Sequence, residues 1–525
     1  MLPARHLLNR LGPPRVRLDH PLSGEPPRAP ESSPFVLLVV VDLGATTVSS
    51  AQTLAERPMR AVTASSFDAW LADLTPTLHL EVEAAPADVG RRAFDLRCQR
   101  LADFEAEGLA VQVGEAAEAI RRHPAFLLTE SAVRGLHQLV SRAPAGPSLE
   151  VRLLEATRAE LEADLAPEGP AHLWRRLVEV PRRTPGEPLL GALVVDVASG
   201  LVPVPAADDR LGLIAGLARL GAGGRFPVIV EVADALCALS PPPPARRGRR
   251  PGSAPRLAVD TDAWRALRER PEARFLAPIA GRFLAREPVE RTETPARTGA
   301  PWASGVYAWA ECLLRAIGTH GWPAAIAGLE SGGAIEDLLL ASVRTDDLLD
   351  LVPLGPTLRP VTDAEETARA CAGINSLVGR RSESAGRKAL AVVFSGTTLA
   401  ADRTVTAGHV ATACHVVRAL EAALRDATVS SATPEAWRDR CQAWLDALVG
   451  TDESDGAHAQ ARRPLFAAAV EVLPPALPGA ASRLAVTLTG RFLLEGRIPV
   501  AFEFDLPDGG ANAAGDDPVG VPARR

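Results

Sequence analysis

The run Val39-Val40-Val41-Asp42-Leu43-Gly44-Ala45-Thr46-Thr47 has the composition of a phosphate loop. An apolar strand ends in a carboxylate that could hold a metal, and small residues follow that let backbone amides approach an anion. Such a site also needs a second acidic loop and a Gly-Gly turn for the nucleoside. Gly223-Gly224 and Gly332-Gly333 offer glycines, but neither follows a strand with its own acidic loop. His409, Cys414 and His415 are the next candidates, as metal ligands. Six positions turn the two histidines about 600° apart on a helix, onto different faces, so packing and capping account for them better. No Gly-x-Ser-x-Gly elbow, His-Glu-x-x-His pair or Walker loop occurs. The six cysteines (Cys98, Cys237, Cys312, Cys371, Cys414, Cys441) have neither a disulfide nor a CxxC spacing. Arg246 to Arg250 reads as a solvated basic loop. No catalytic group, cofactor or metal site is expected, and the protein reads as a non-enzyme.

Such a chain must be understood through its elements. With 525 residues, 47% hydrophobic and 23% charged, it can build two or three domains with real cores. A net charge of -7 gives no reason to propose nucleic acid or anionic lipid as a partner. Basic charge is almost all arginine, with Lys388 the single lysine. The longest apolar run, Phe35 to Val41, is too short to span a bilayer, and no leader opens the chain. A reducing, cytoplasmic protein without membrane insertion is expected.

Residues 1–33 are rich in Pro, Arg and Ser and read as an extended or disordered arm with one strand over 13–18. Phe35 to Val41 suits a buried strand. Ser66 is placed to cap a helix over Phe67 to Leu74. Helices follow at Gly114 to Arg122, Leu127 to Val140, Ala159 to Leu165 and Asp209 to Leu220. Strands are expected at Leu149 to Leu154, Leu189 to Val197 and Phe226 to Val232. This alternation predicts an α/β, mixed-sheet core. Pro241 to Pro255 reads as a structureless insertion. Tyr307 to Leu338 predicts a helix with Val306, Ala310, Leu313 and Ile317 on one face and Gly318 as its stop. A turn at Gly321-Trp322-Pro323, a buried strand over Ala324 to Ala327 and a Gly332-Gly333 turn come next. Gly408 to Ala427 and Pro434 to Leu448 predict amphipathic helices. Leu484 to Phe504 alternates on both sides of Glu495-Gly496, as a β-hairpin does.

The order of these pieces resembles a known family. His320-Gly321-Trp322, Ile326-Ala327-Gly328 and Ser331 to Leu338 resemble the "YGW", "IRG" and "GGGxVEDLP" blocks of the large sheath subunit of the bacterial type VI secretion system. His123 to Phe126, Glu130 and Arg134-Gly135-Leu136 are similar to its "HPEF…LEASWRGLHYLV", with Val133 in place of the family's Trp. Further blocks are Glu160 to Leu165, Gly186 to Leu189, Trp264 to Arg268, Arg282 within Gly281 to Arg286, His415 with Arg418, and Trp444-Leu445. Pro13 to Leu18, Pro34-Phe35 into Val41 to Gly44, Glu56-Arg57, Phe67-Asp68 and Ala102 to Phe104 resemble the small subunit. The chain therefore looks like a fusion of a small (TssB/VipA-like) and a large (TssC/VipB-like) sheath subunit, joined near Gly114.

The resemblance implies an arm over 1–33, a small-subunit-like domain over 34–113 and a large-subunit-like core over 114–483 with the insertion at 240–256. A hairpin over 484–507 and a disordered tail over 508–525 complete it. Its function would be structural: polymerisation into a helical tube around an inner tube, and contraction to deliver effectors. The joining strands would be Arg15, Val16, Arg17 and Leu18, and Leu484, Val486, Leu488, Phe492, Leu494, Val500, Phe502 and Phe504. Glu130, Arg134, Gly135, Arg282, Gly321, Trp322, Gly332, Gly333, His415 and Trp444 are the family's structural positions. Partners would be further copies, the inner tube protein, baseplate components and an AAA+ unfoldase. The family's unfoldase-gripped peptide falls in a segment missing at the join. Two alternatives stand beside this reading. One is an accessory sheath paralogue without contractility; the other is an actin-like-fold phosphotransferase using Asp42 to Thr47.

Overall fold

The structure, a computed structural model, describes residues 34–83, 91–197, 211–234, 237, 257–287, 299–344, 351–381, 389–402, 405–426, 433–450, 457–475, 482–491 and 499–506. The expected strand at 13–18, the 240–256 insertion, the 508–525 tail, Phe492 and Leu494 lie outside them.

Phe35–Val41 (β1) is apolar at every position, and a strand of that kind must be covered on both faces. It is. Leu149–Glu155 (β5) and Leu190–Asp196 (β6) flank it in parallel, and all seven residues are buried. The sheet contains nine strands, and its other members are Arg60–Ala61 (β2), Val228–Glu231 (β7), Leu276–Ala280 (β8), Ala334–Leu338 (β11), Asn375–Arg381 (β14) and Ala389–Val393 (β15). Their order is β11-β15-β14-β8-β7-β6-β1-β5-β2. From β14 to β5 neighbouring strands are parallel; β2, β15 and β11 add antiparallel edges. Smaller sheets pair Thr77–Glu83 (β3) with Arg91–Arg97 (β4), Arg282–Leu284 (β9) with Trp302–Ser304 (β10), and Ala341–Arg344 (β12) with Leu351–Gly355 (β13). The α/β architecture expected from the sequence is present.

The alternation of β1 divides the interior. Phe35, Leu37, Val39 and Val41 join Val133 and Leu136 of the helix Pro124–Arg142 and Val306 and Leu313 of the helix Gly305–His320. Val36, Leu38 and Val40 join Leu161, Leu217 and Trp264 on the opposite face. Each such side chain contributes about 1.5–3 kcal/mol when fully buried. A third core lies towards the carboxyl end. There Leu465–Leu473 (β16), Arg483–Gly490 (β17) and Val500–Asp505 (β18) form an antiparallel sheet in that order, covered by the helices Ala407–Asp426 and Pro434–Asp446.

The Gly305–His320 helix departs from its expected end. Gly318 is an internal residue whose missing side chain admits Pro144; a Cβ there would sit 2.7 Å from the proline ring. Gly321 ends the helix instead, at φ +78°, with its N–H bonded to the Ile317 carbonyl. Ala324 to Ile326 is buried and Ala327 half-buried, and no strand forms over them. The Ile326 carbonyl accepts from the Trp309 indole at 2.9 Å. A Cβ on Gly333 would come within 2.5 Å of the Val393 carbonyl, and the Gly328 amide and Gly333 carbonyl both bond to Val393, so the segment is tied to the end of β15 without forming a strand.

Candidate functional site

Four adjacent parallel strands end in an acid: Asp42 follows β1, and Glu155, Asp196 and Glu231 close β5, β6 and β7. In open α/β sheets this rim is where ligands bind. Here the protein's own groups engage the carboxylates. Arg282 grips Glu231 with two bonds, Nε to Oε1 at 2.7 Å and Nη2 to Oε2 at 2.8 Å, and donates Nη1 to the Trp302 carbonyl at 3.2 Å. Tyr307 donates its hydroxyl to Asp196 at 2.5 Å. Asp42 accepts from the Gly44 amide at 2.9 Å and the Arg158 amide at 3.2 Å, so both its oxygens are taken by backbone. Thr47 donates to Glu155 at 3.2 Å and leads into a short 3-10 turn over Val48–Ala51. The Asp42 to Thr47 segment is thus a closed structural turn, the role opposed to the phosphate loop its composition offers.

Burial dominates the electrostatics of this rim. It pushes Glu231 up to about 7 despite Arg282, raises Asp196, and raises the Tyr307 phenol, which the neighbouring Asp196 charge reinforces. Glu155 is pushed up to about 6, with Arg57 and the Thr47 hydroxyl opposing the burial.

The motif residues gather at three further junctions. Glu130, fully buried, accepts from Arg286 at 2.6 and 2.9 Å and from Arg134 at 2.7 Å; Arg134 also reaches Glu105 at 2.8 Å. Gly135 lets the Tyr307 ring cross its helix, since a Cβ would come within 2.4 Å of that ring. Trp322, His415 and Trp444 form an aromatic group, with ring centroids 5.1 Å apart for Trp322–His415 and 6.4 Å for Trp322–Trp444. Gly332, at φ +86°, and Gly333 turn the chain into β11. Beside His415, the buried Arg418 donates to the carbonyls of Pro34 at 2.9 Å and Leu189 at 3.0 Å and to His415 Nδ1 at 2.6 Å. Burial and Arg418 hold His415 well below its ordinary value, and burial brings Arg418 down to about 10. His409 points elsewhere, against Gly490, and is held at about 4 by burial. The two histidines do sit apart, as their spacing requires, and among the described residues no group of His, Cys, Asp and Glu is arranged to hold a metal.

The described residues of the expected joining strands lie in the terminal sheet. Leu484, Val486, Leu488, Val500 and Phe502 face into the third core, so their side chains belong to the subunit's interior. Phe504 pairs with Leu484 in the ladder. Strand β17, expected to present an edge, is the middle of three, and the outer edges belong to β16 and β18. They are not equivalent. Gln442 accepts from the Val470 amide at 2.9 Å and donates to the Ala468 carbonyl at 3.1 Å, so one side chain satisfies two outward backbone groups of β16. On β18 the Leu506 amide bonds to Ser482, which places the Val500, Phe502 and Phe504 backbone groups towards β17. Those of Ala501, Glu503 and Asp505 therefore point outward, where the Glu503 carbonyl receives Arg225 at 2.5 Å.

Asp196 is read only as part of a family block and Glu231 not at all; likewise Arg286 is read only as the end of a block and Gln442 not at all. A signal for the first two exists: VVVD, LLE, VVD and VIVE each close an apolar run with an acid.

A buried ionic rim at the strand ends and a three-stranded terminal sheet complete a protein of mixed α/β fold. The chain belongs to the family described as EvpB/VC_A0108, tail sheath N-terminal domain, whose model matches residues 107–395. The model for type VI secretion system VipA, VC_A0107 or Hcp2, matches residues 8–125, so the two meet across 107–125. Among curated proteins, the type VI secretion system sheath protein TssC1 of Pseudomonas aeruginosa is 26% identical over 387 residues, spanning 67% of this chain and 75% of that one. A chain of the cryo-EM structure of the anti-feeding prophage baseplate aligns over 98% of this chain and 99% of its own at 11% identity, with a TM-score of 0.35, too slight a likeness to carry an argument. The chain is a structural sheath subunit of the type VI secretion type, carrying small- and large-subunit sequence in one polypeptide. No helix among the described residues is long and apolar enough to cross a membrane.

Proposed function

We propose that this chain polymerises with further copies of itself into a helical sheath around an inner tube, and that the outward edge of β18 is where a neighbour's strand adds. The observation that carries this reading is the asymmetry of the terminal sheet: Gln442 caps two outward groups at the centre of the β16 edge, whereas the backbone amides of Ala501, Glu503 and Asp505 face outward on β18. Added strands bond through backbone, and a head-to-tail contact that does not close on itself builds a filament. The arm at Arg15 to Leu18 supplies a segment of suitable alternation for that edge. Contraction is then a rigid-body repacking of folded cores about joined strands, with no nucleotide chemistry in the subunit. The protein acts in the cytoplasm, as a non-enzyme, with the inner tube protein, baseplate components and an AAA+ unfoldase as partners.

Ala501→Pro tests the edge, because proline removes an outward donor and spares the ladder to β17. Negative-stain electron microscopy of the wild type should show hollow tubes. The variant should remain dispersed with an unchanged unfolding midpoint; tubes from a folded Ala501→Pro protein would refute the edge assignment. Deleting 484–507 is a poorer test, since it would open the third core.

A further inference from the structure

The chain itself occupies one outward backbone group of β18: Arg225 donates Nη2 to the Glu503 carbonyl at 2.5 Å. The Glu503 carboxylate is engaged elsewhere, by Arg483 at 2.6 Å, so Arg225 meets backbone there. Arg225 follows the helix Leu211–Gly224, in the turn that leads to β7. The Phe226 amide bonds to the Gly221 carbonyl at 3.0 Å and the Arg225 amide to that of Ala222 at 3.3 Å, which is a Schellman ending. Such an ending needs a left-handed residue, and Arg225 supplies it at φ +57°, where glycine is the residue suited to the role. Gly221, Gly223 and Gly224 precede it, so the glycine-rich run stops one residue short of the position that asks for glycine. The bonds of the side chain offset the strained backbone. Nη1 lies 3.3 Å from Glu421 on the helix Ala407–Asp426, and Arg182 fixes Glu421 in turn at 2.7 Å. Arg182 also donates to the Gly223 carbonyl at 2.9 Å, which ties the turn to the same base.

We propose that Arg225 is a latch on the β18 edge, which bars an added strand while it holds the Glu503 carbonyl and swings aside when an incoming amide takes its place. This rests on the strand-addition reading above and names the regulation of that edge. An added strand runs about 4.8 Å from its neighbour. The guanidinium fills that space at Glu503, midway between the outward groups of Ala501 and Asp505. Release leaves neither end of the latch bare, since Glu421 keeps Nη1 and the carbonyl gains a backbone donor. A segment that pairs only at one end of β18 does not displace the guanidinium, whereas a full strand with an amide opposite Glu503 does. The latch therefore favours the complete register over short mispairings. Only subunits with the latch open offer the whole edge, and the apparent affinity for a strand falls with their fraction.

The test compares the full chain with Arg225→Gly and Arg225→Asn. Both residues accept the left-handed turn, neither reaches Glu503, and Glu421 keeps Arg182, so no acid is left unpaired. Sedimentation gives the concentration above which polymer forms, and negative-stain microscopy shows whether it is tubular. Losing one charge-assisted hydrogen bond should lower that threshold about tenfold in both variants, with tubes as the product. Tubes from the variants where the wild type gives none would be the same result in stronger form. Adding Ala501→Pro to Arg225→Gly should abolish the gain. An unchanged or higher threshold in the folded variants overturns the latch and spares the strand-addition reading. A fall in only one of the two variants means that the backbone accounts for it, and amorphous pellets mean that Arg225 serves the fold alone; either overturns the latch. Tubes from the combined variant at the lowered threshold overturn the latch and the edge together. No tubes from any of these proteins overturns the polymer reading itself.

Discussion

Tyr307 is the only tyrosine in the chain, and its hydroxyl is spent on a carboxylate that water does not reach. Burial keeps the phenol protonated, so it remains a donor to Asp196. Tyr307→Phe keeps the ring that Gly135 accommodates and removes the hydroxyl's bond to the acid. A loss of about 1–3 kcal/mol is expected, read as a lower denaturant midpoint at unchanged slope. Glu231 sets a pH dependence of definite sign. Folded, it keeps its proton up to about pH 7, whereas its ordinary value is 4.5. Its contribution to stability is complete below about pH 4.5 and is lost as pH rises to about 7. Asp196 acts in the same direction. The unfolding midpoint of Glu231→Gln should accordingly fall less steeply between pH 5 and 7 than that of the wild type. Parallel slopes would mean that Glu231 stays ionised throughout.

At the scale of elements, the terminal sheet shows how far pattern reaches. Leu484 to Phe504 alternates cleanly, and the strands β17 and β18 are there. Their third partner, Leu465–Leu473, reads LFAAAVEVL, and a run of alanines carries too little contrast between faces to announce a strand. Missing β16 hides which strand is an edge. It also hides the role of Gln442, whose amide works only once a ladder lies beside it. Gln442→Ala should free the outer backbone at Ala468 and Val470 and give the sheet two open edges. Light scattering should then show faster, less ordered association than the wild type; unaltered assembly would mean that the Pro434–Asp446 helix closes that edge unaided. The helix end at Gly321 has a similar lesson. Two glycines three residues apart both fit a stop signal, and only the packing of Pro144 against Gly318 decides between them.

For the whole molecule, β1 was legible as doubly buried from FVLLVVV alone, but its neighbours were not, because they lie more than a hundred residues downstream. The small-subunit-like sequence supplies one interior strand, β1, and the edge strand β2 of a sheet whose other strands come from the large-subunit-like sequence. Arg418 fastens the third core to the same place, reaching the residue just before β1 and the one just before β6. Arg418→Ala removes that fastening and leaves two carbonyls without a donor. Calorimetry should resolve the single wild-type transition into two, the third core melting first; one shifted but undivided transition would mean that apolar contact alone couples the cores.

The position of β1 also bears on how the protein is made. A ribosome emits β1 well before its neighbours, and no partner strand from β5 exists until residues 149–155 follow. At roughly 5–20 residues per second that delay lasts about 5–20 s, and β6 comes later still. Through this interval an uncharged, wholly apolar heptamer rich in valine is exposed on the nascent chain, the kind of segment that nucleates aggregates. Joining the two halves in one polypeptide fixes the wait to the pace of translation, where separate chains would extend it to the time of a chance encounter.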